Sequence, residues 1–243
     1  MLDSSITIHA KRPIPWRPVV VIGLSNSSHF FGMCSLFSYA GLLCVEMGWA
    51  SSTESSGLVA GWLATSVFFG RLFTASPWGL FADRYGRRFA LLITLASHAL
   101  GNLAFGLSTS FWAAVVSRIV LLGALNGYTT LLGILVYEVA GPENQNQVMA
   151  YALGFGGATQ LVGPAIGGYL YMAIPAFPAL ASSLVGTGIA LITFSLAWFW
   201  LPETSMAGSF ARKVSAVATT TSAAEAAAAP AKEEGEKASY SPV

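Results

Sequence analysis

The sequence predicts an all-α membrane protein, six transmembrane helices followed by a disordered tail. Three observations carry this. Of 243 residues, 54% are hydrophobic and only 9% are charged, whereas a soluble domain carries about 25% charged residues. A large soluble core would not explain the shortfall, because it would still need a charged surface. Between Pro18 and Leu201 there are five basic residues (Arg71, Arg84, Arg87, Arg88, Arg118), five acidic ones (Glu46, Glu54, Asp83, Glu138, Glu143) and no lysine. The apolar stretches between them reach the roughly 20 residues that cross a hydrocarbon core about 30 Å thick.

The elements follow in order. Residues 1–17 form a polar arm with Lys11, Arg12 and Arg17. The arm lacks a signal-peptide pattern, so the first span is expected to be retained and to direct insertion. Spans are expected at 18–45, 57–79, 89–107, 111–138, 148–171 and 179–201. The transmembrane domain is therefore 18–204, and 205–243 is an Ala/Ser/Thr-rich tail ending near a Lys-Glu-Glu-Gly-Glu-Lys run. Such a tail has too little apolar surface to offset its ordering entropy. Cys34 and Cys44 both fall in the first span, and their spacing fits neither a redox pair nor a zinc site. They read as small buried hydrophobes.

Loop charge gives orientation. The N-terminal arm, the second loop with Arg84, Arg87 and Arg88, and the tail with Arg212 and Lys213 are basic. The first loop holds only Glu46 and Glu54, and the third and fifth are neutral. By the positive-inside rule both termini are expected in the cytoplasm. The fourth loop, containing 141–147, should share that side although its one charge is Glu143; acidic residues count little in the rule. Which membrane, plasma or vacuolar, stays open.

Pro77 and Gly79 lie near one end of the second span, and Pro164, Gly167 and Gly168 lie nearer the other end of the fifth. Matching features at opposite faces suggest two sets of three helices in inverted topology.

The segment Gly79-Leu80-Phe81-Ala82-Asp83-Arg84-Tyr85-Gly86-Arg87-Arg88 has chemistry of its own. Gly79 lets two backbones approach. Asp83 can accept from a helix N-terminus or an arginine. Gly86 permits a tight turn, and Arg87 can reach Glu138 at the end of the fourth span. The segment resembles the signature loop between the second and third helices of the major facilitator superfamily. The resemblance implies a gating motif of Gly79, Asp83, Arg84, Gly86, Arg87, Arg88 and Glu138. Gly163-Pro164-Ala165-Ile166-Gly167-Gly168 resembles the glycine–proline motif of that superfamily's antiporter branches, with Thr159 at an upstream glycine position. It reads as a helix-packing motif, with small residues facing a neighbour. Leu201-Pro202-Glu203-Thr204, Gly70-Arg71 and Gly123-Ala124-Leu125-Asn126-Gly127 are similar to the drug:proton antiporter branch, and within it to the plant zinc-induced facilitator-like group. The family places an arginine four residues before the glycine of the fourth helix. Here Arg118 lies five before Gly123, a slip of about 100° on an α-helix. The likeness covers about 18–204, half of a full transporter: one six-helix bundle in a three-plus-three arrangement.

Charges inside spans are costly, at least ~2.5 kcal/mol near a helix centre. Arg71 and Arg118 therefore call for an internal partner, a watery cavity or, by snorkelling, the surface. Asn26 and His29 share a face of the first span. By the resemblance, which lines the cavity with the first, second, fourth and fifth helices, the substrate-cavity candidates are Asn26, His29, Arg71, Arg118, Asn126 and Gln160. Interhelical hydrogen bonding is the plainer role for each. His98 and Asn102 read as packing. No carboxylate lies in the middle of a span, which leaves the coupling ion open.

No nucleophile–base pair, nucleotide loop or metal cluster indicates an enzyme or an ATP-driven pump, and no cofactor or nucleic-acid partner is expected. The resemblance implies secondary transport of a small solute, a drug-like amphiphile or a metal chelate, by proton-coupled antiport and alternating access. Alternating access needs a second six-helix bundle. A homodimer, or association with another bundle in the lipid membrane, is therefore expected. The rival reading is a truncated, non-transporting chain that associates with a full-length transporter.

Overall fold

The computed structural model describes residues 13–203, so the arm before 13 and the tail lie outside the described residues. α1, Trp16–Cys34, passes through a 3₁₀ turn, Ser35–Ser38, into the short α2, Ala40–Glu46. α3, Thr53–Tyr85, starts on a reciprocal cap: Ser52 Oγ accepts from the Ser55 N–H at 3.2 Å and Ser55 Oγ accepts from the Ser52 N–H at 3.1 Å. Two orphan donors of the first turn are satisfied this way. Its 33 residues make it about 50 Å long. Gly86, at φ 101°, ends it, a conformation that costs glycine nothing. α4, Arg87–Gly106, returns.

α5, Phe111–Ser117, continues as a π-helical segment, Arg118–Ala124, and α6, Tyr128–Leu170, follows after a three-residue break. α6 is two crossings. Gly141 within it has φ 68° and ψ 171°, and Pro142 restarts the helix where its missing N–H is no loss. α7, Leu180–Trp200, completes the bundle. No strand occurs among the described residues.

Three expectations are corrected. The fourth loop is a one-residue turn at Gly141, so the fifth crossing starts at 142 rather than 148; the polar stretch 142–147 is a helical first turn, not a connection. The second helix runs past 57–79 at both ends. The first and fourth crossings, expected to be continuous, are interrupted.

The chain reverses at Gly141. Asn26 meets Ala152 and Ser35 meets Gly167, so the 142–170 helix runs parallel to α1. Leu63 meets Arg118 and Ala75 meets Thr130, so the fourth crossing runs parallel to α3. The main pairings are first with fifth, fourth with second, and third with sixth. Exchanging the two triplets maps the first pairing onto the second and leaves the third unchanged. This is the pattern of a three-plus-three inverted repeat. Glycines permit the close pairs. A Cβ on Gly167 would lie 2.2 Å from the Ser35 carbonyl, and one on Gly70 would lie 2.0 Å from that of Ile119.

Two apolar clusters fill the bundle. One, at the Gly86 end, gathers Ile22, Leu91, Leu95, Leu131, Leu135 and Val148. The other, at the opposite end, gathers Leu36, Leu43, Leu63, Phe105 and Ala114. Cys34 and Cys44 are buried and unpaired. Large apolar side chains such as Trp62, Phe73, Leu161 and Tyr169 stay exposed on α3 and α6, a surface that water would not favour.

Candidate functional site

The centre of the site is the interrupted fourth crossing. Through Arg118–Ala124 the backbone bonds i to i+5, as in Leu125 N–H to Val120 O at 2.8 Å. The Asn126 N–H then turns back to Gly123 O at 3.2 Å. This rearrangement leaves carbonyls without their usual i+4 donors, and such groups cannot stay unpaired in a buried site. Side chains from neighbouring helices take three of them. Ser97 of α4 donates to Leu121 O at 2.7 Å, Arg71 of α3 to Leu122 O at 3.3 Å, and Trp78 of α3 to Ala124 O at 2.8 Å. The break is thus held open by its neighbours. It also accounts for the spacing of Arg118. An i→i+5 turn winds five residues through about the angle that an α-helix covers with four, so the extra residue before Gly123 is absorbed and the 100° slip does not arise.

Asn126 sits at the break and completes a relay. His98 Nε2 donates to Ser28 O at 2.9 Å, which leaves Nδ1 as the acceptor. The Asn126 amide donates to it at 2.9 Å, and Asn126 Oδ1 accepts the Tyr128 N–H at 3.2 Å. Every polar atom has one consistent role only with the His98 proton on Nε2. His98 was expected only to pack, but it ties α1, α4 and the broken crossing together. Its signal in the sequence was a buried-span histidine, indistinguishable there from a core one.

Beside it, the His29 ring lies 6.3 Å from that of His98 and 5.4 Å from that of Tyr128. Arg71 Nη1 is 3.1 Å from His29 Nε2. Arg71 is partly exposed, next to Met33 and the exposed Phe68 ring. It lies near the middle of α3, deeper than the expected span had put it.

The other cavity candidates separate. Asn26 donates to Ala152 O at 2.8 Å, binding α1 to the fifth crossing. Arg118 does not snorkel: it is 1% exposed, donates to Leu63 O at 2.9 Å and lies 5.1 Å over Phe105. Gln160 is exposed on α6.

The charged loop forms a second constellation at the end of the bundle. Arg87 is buried. Its Nη2 is 2.5 Å from Asp83 Oδ1, its Nε 3.0 Å from Glu138 Oε1, and its Nη1 donates to Ala82 O at 2.8 Å. Its backbone N–H donates to Glu203 Oε1 at 2.8 Å. A Cβ on Gly86 would stand 2.6 Å from the same carboxylate. One arginine therefore joins the ends of the second, fourth and sixth crossings. Sequence reading did not assign Glu203 this contact. Arg88 donates to the Trp198 carbonyl and lies over the Trp198 ring, whereas Arg84 lies over Tyr85, at the surface. Gly79 makes only a 3.8 Å approach to Thr130. In the packing motif, space demands glycine at Gly167; an added Cβ at Gly163 would find its nearest neighbour at 3.7 Å and at Gly168 at 3.3 Å. Pro164 sits within α6.

An all-helical bundle in inverted repeat, with buried cations at a broken crossing, has the build of a membrane transport domain. The model of the Major Facilitator Superfamily matches residues 14–232. Zinc induced facilitator-like 1 of Arabidopsis thaliana is 36% identical over 148 residues, 61% of this chain and 31% of the relative. A probable peptide/nitrate transporter of Arabidopsis thaliana is 32% identical over 211 residues, 82% of this chain and 43% of the relative. The crystal structure of the human organic anion transporter MFSD10 matches with a TM-score of 0.64 at 21% identity, over 79% of this chain and 49% of that one. The chain belongs to the Major Facilitator Superfamily, a family of integral membrane transporters rather than enzymes. It spans less than half the length of the curated relatives it matches.

Proposed function

We propose that this bundle is one half of a secondary transporter for a small solute, a drug-like amphiphile or a metal chelate, and that it works by alternating access against a second six-helix bundle in proton-coupled antiport. The observation that carries the reading is the polar cluster of Arg71, His29, His98 and Asn126 around a broken helix at mid-depth. Buried cations and irregular backbone are costly in a membrane and mark solute pathways. The Arg87 junction supports it: a buried cation holding three helix ends together is a contact that a gating motion would have to break and remake. The names of relatives, zinc-induced facilitators and a fungal multidrug transporter among them, motivate the substrate classes. Both termini lie in the cytoplasm in this reading, because the basic residues gather at the Gly86 end and in the flanking segments.

The second bundle is a second copy or another six-helix unit, covering the exposed apolar faces of α3 and α6. Those same faces suit the second reading, a non-transporting chain that associates with a longer transporter. Reconstitution in liposomes with trapped pyranine decides. Uptake of a fluorescent amphiphile or of a zinc chelate that moves protons the other way, with a cross-linked dimer in the same membranes, supports the transporter. A monomer that moves neither solute overturns it. Cysteines introduced at Ser108 and Ser51 should label from outside, and labelling only from inside would reverse the orientation.

A further inference from the structure

We propose that the Arg71–His29 cluster binds the carboxylate of an amphiphilic organic anion. This deepens the transport reading by naming the charge of the solute, and it rests on that reading only for calling the anion cargo.

A count of donors and acceptors carries the proposal. Arg71 offers five N–H donors and no acceptor. Nη2 donates to Leu122 O at 3.3 Å, and Nη1 faces His29 Nε2 at 3.1 Å and the weak acceptor Met33 Sδ at 3.6 Å. Arg71 Nε is buried and has no hydrogen-bond partner among the described residues. Both nitrogens of His29 lie against this guanidinium, Nδ1 at 3.4 Å from Nη2. A neutral imidazole has one lone pair, so one of those nitrogens carries a hydrogen pointed at a cation. The cluster is therefore short of acceptors in two places, at the Arg71 Nε–H and at the His29 N–H. His98 cannot supply one, since Ser28 O and Asn126 use both of its nitrogens.

The shortage is one of negative charge as well. No described carboxylate lies within ion-pair distance of Arg71. The described acidic residues Glu46, Glu54, Asp83, Glu138, Glu143 and Glu203 all stand at ends of helices or their turns. An arginine fork is shaped to take a carboxylate in a bidentate pair. The anion would arrive from the open side, since Arg71 is partly exposed while His29 behind it is 4% exposed.

Arg71 stands near the middle of α3, away from the helix ends where lipid headgroups lie. Arg71 is 18 residues from Thr53 and 14 from Tyr85, about 27 Å and 21 Å along the axis. The exposed Phe68 ring lies 6.0 Å from the Arg71 guanidinium, which suits a ligand with an aromatic or alkyl body behind its carboxylate.

The test uses the purified full chain in a neutral detergent. Equilibrium binding is measured for benzoate, benzamide and benzylamine, which share a ring and differ in charge. Saturable benzoate binding, at least tenfold tighter than that of either analogue, is expected. Arg71→Gln should weaken benzoate at least tenfold, Arg71→Lys less, and His29→Gln by several-fold, while Ser195→Ala on α7 leaves it unchanged and reports folding by size exclusion. Should Arg71→Gln aggregate, Arg71→Lys and His29→Gln carry the comparison. Benzamide bound as well as benzoate, or both folded variants binding as the parent does, overturns the proposal. Chloride displacing benzoate at equal concentration overturns the organic carboxylate, and phosphatidylglycerol abolishing its binding overturns a solute source in favour of a headgroup. Benzoate binding without solute flux in liposomes overturns the transport reading alone, and flux of an amphiphile without benzoate binding overturns the anion site alone.

Discussion

Arg87 and Arg71 both stand at the meeting of helices, the first buried and the second partly exposed, and the protein treats them in opposite ways. Arg87 is closed: Asp83, Glu138 and the Ala82 carbonyl take its side-chain donors, and Glu203 takes its backbone N–H. Arg71 is open: a carbonyl, an imidazole and a thioether face it, and its Nε donor has no hydrogen-bond partner among the described residues. A charge held for architecture comes with its counter-charges. A charge left short of them, at a depth where that is expensive, is better placed to receive one.

Four measurements sharpen or break this contrast, in falling order of expected effect. Arg87→Ala removes the ion pair to the largely buried Glu138 carboxylate, and breaking a buried pair costs about 3–5 kcal/mol. Its denaturation midpoint in detergent should collapse, whereas Arg71→Gln should leave most of the stability intact; equal losses would erase the distinction. Next comes Gly70→Ala. Its new Cβ would lie 2.0 Å from the Ile119 carbonyl, against 3.7 Å to the nearest neighbour for Gly163→Ala. Overpacking against backbone costs about 1–3 kcal/mol, so the first should lower the thermal midpoint clearly and the second hardly at all.

Asn126→Ala leaves His98 Nδ1 and the Tyr128 N–H unpaired, at about 1–3 kcal/mol for an orphaned buried group. It should also loosen the helix break, seen as faster amide exchange at 125–130. A protection pattern unchanged from the parent would mean that the break does not depend on this relay. The smallest stability effect belongs to Asp83→Asn, whose side chain is 62% exposed and whose ion pair is worth about 0–1 kcal/mol. There the expected loss is in flux, with Arg84→Gln affecting neither. Full flux in Asp83→Asn at equal expression would remove Asp83 from any gate.

Some of this was legible in the chain and some was not. Arg87 and Glu138 could be paired on paper because each lies at a helix end whose position follows from span length. Glu203 could not, because nothing local says that the sixth crossing ends beside Gly86 rather than beside another loop. Gly163, Gly167 and Gly168 look alike in sequence, yet only the approach of the Ser35 carbonyl makes Gly167 indispensable. The one-residue excess between Arg118 and Gly123 was visible, but its consequence was not: an inserted residue either rotates what precedes it or is absorbed in a π turn. Which of the two happens depends on whether neighbours such as Ser97 and Trp78 can take the freed carbonyls.

The sequence by itself determined that the chain lies in a membrane, that it is helical, and where most of the helices begin and end. Those properties follow from transfer free energy and backbone hydrogen bonding, which act segment by segment. Tertiary structure alone decided which polar groups are satisfied. The Ser28 carbonyl, His98, Asn126 and the Tyr128 N–H form a continuous chain of paired groups, while Arg71 Nε has no partner among the described residues. Hydrogen bonding is directional and short-ranged, so a donor's fate is fixed by the helix that happens to face it, and that information is spread over residues more than a hundred positions apart.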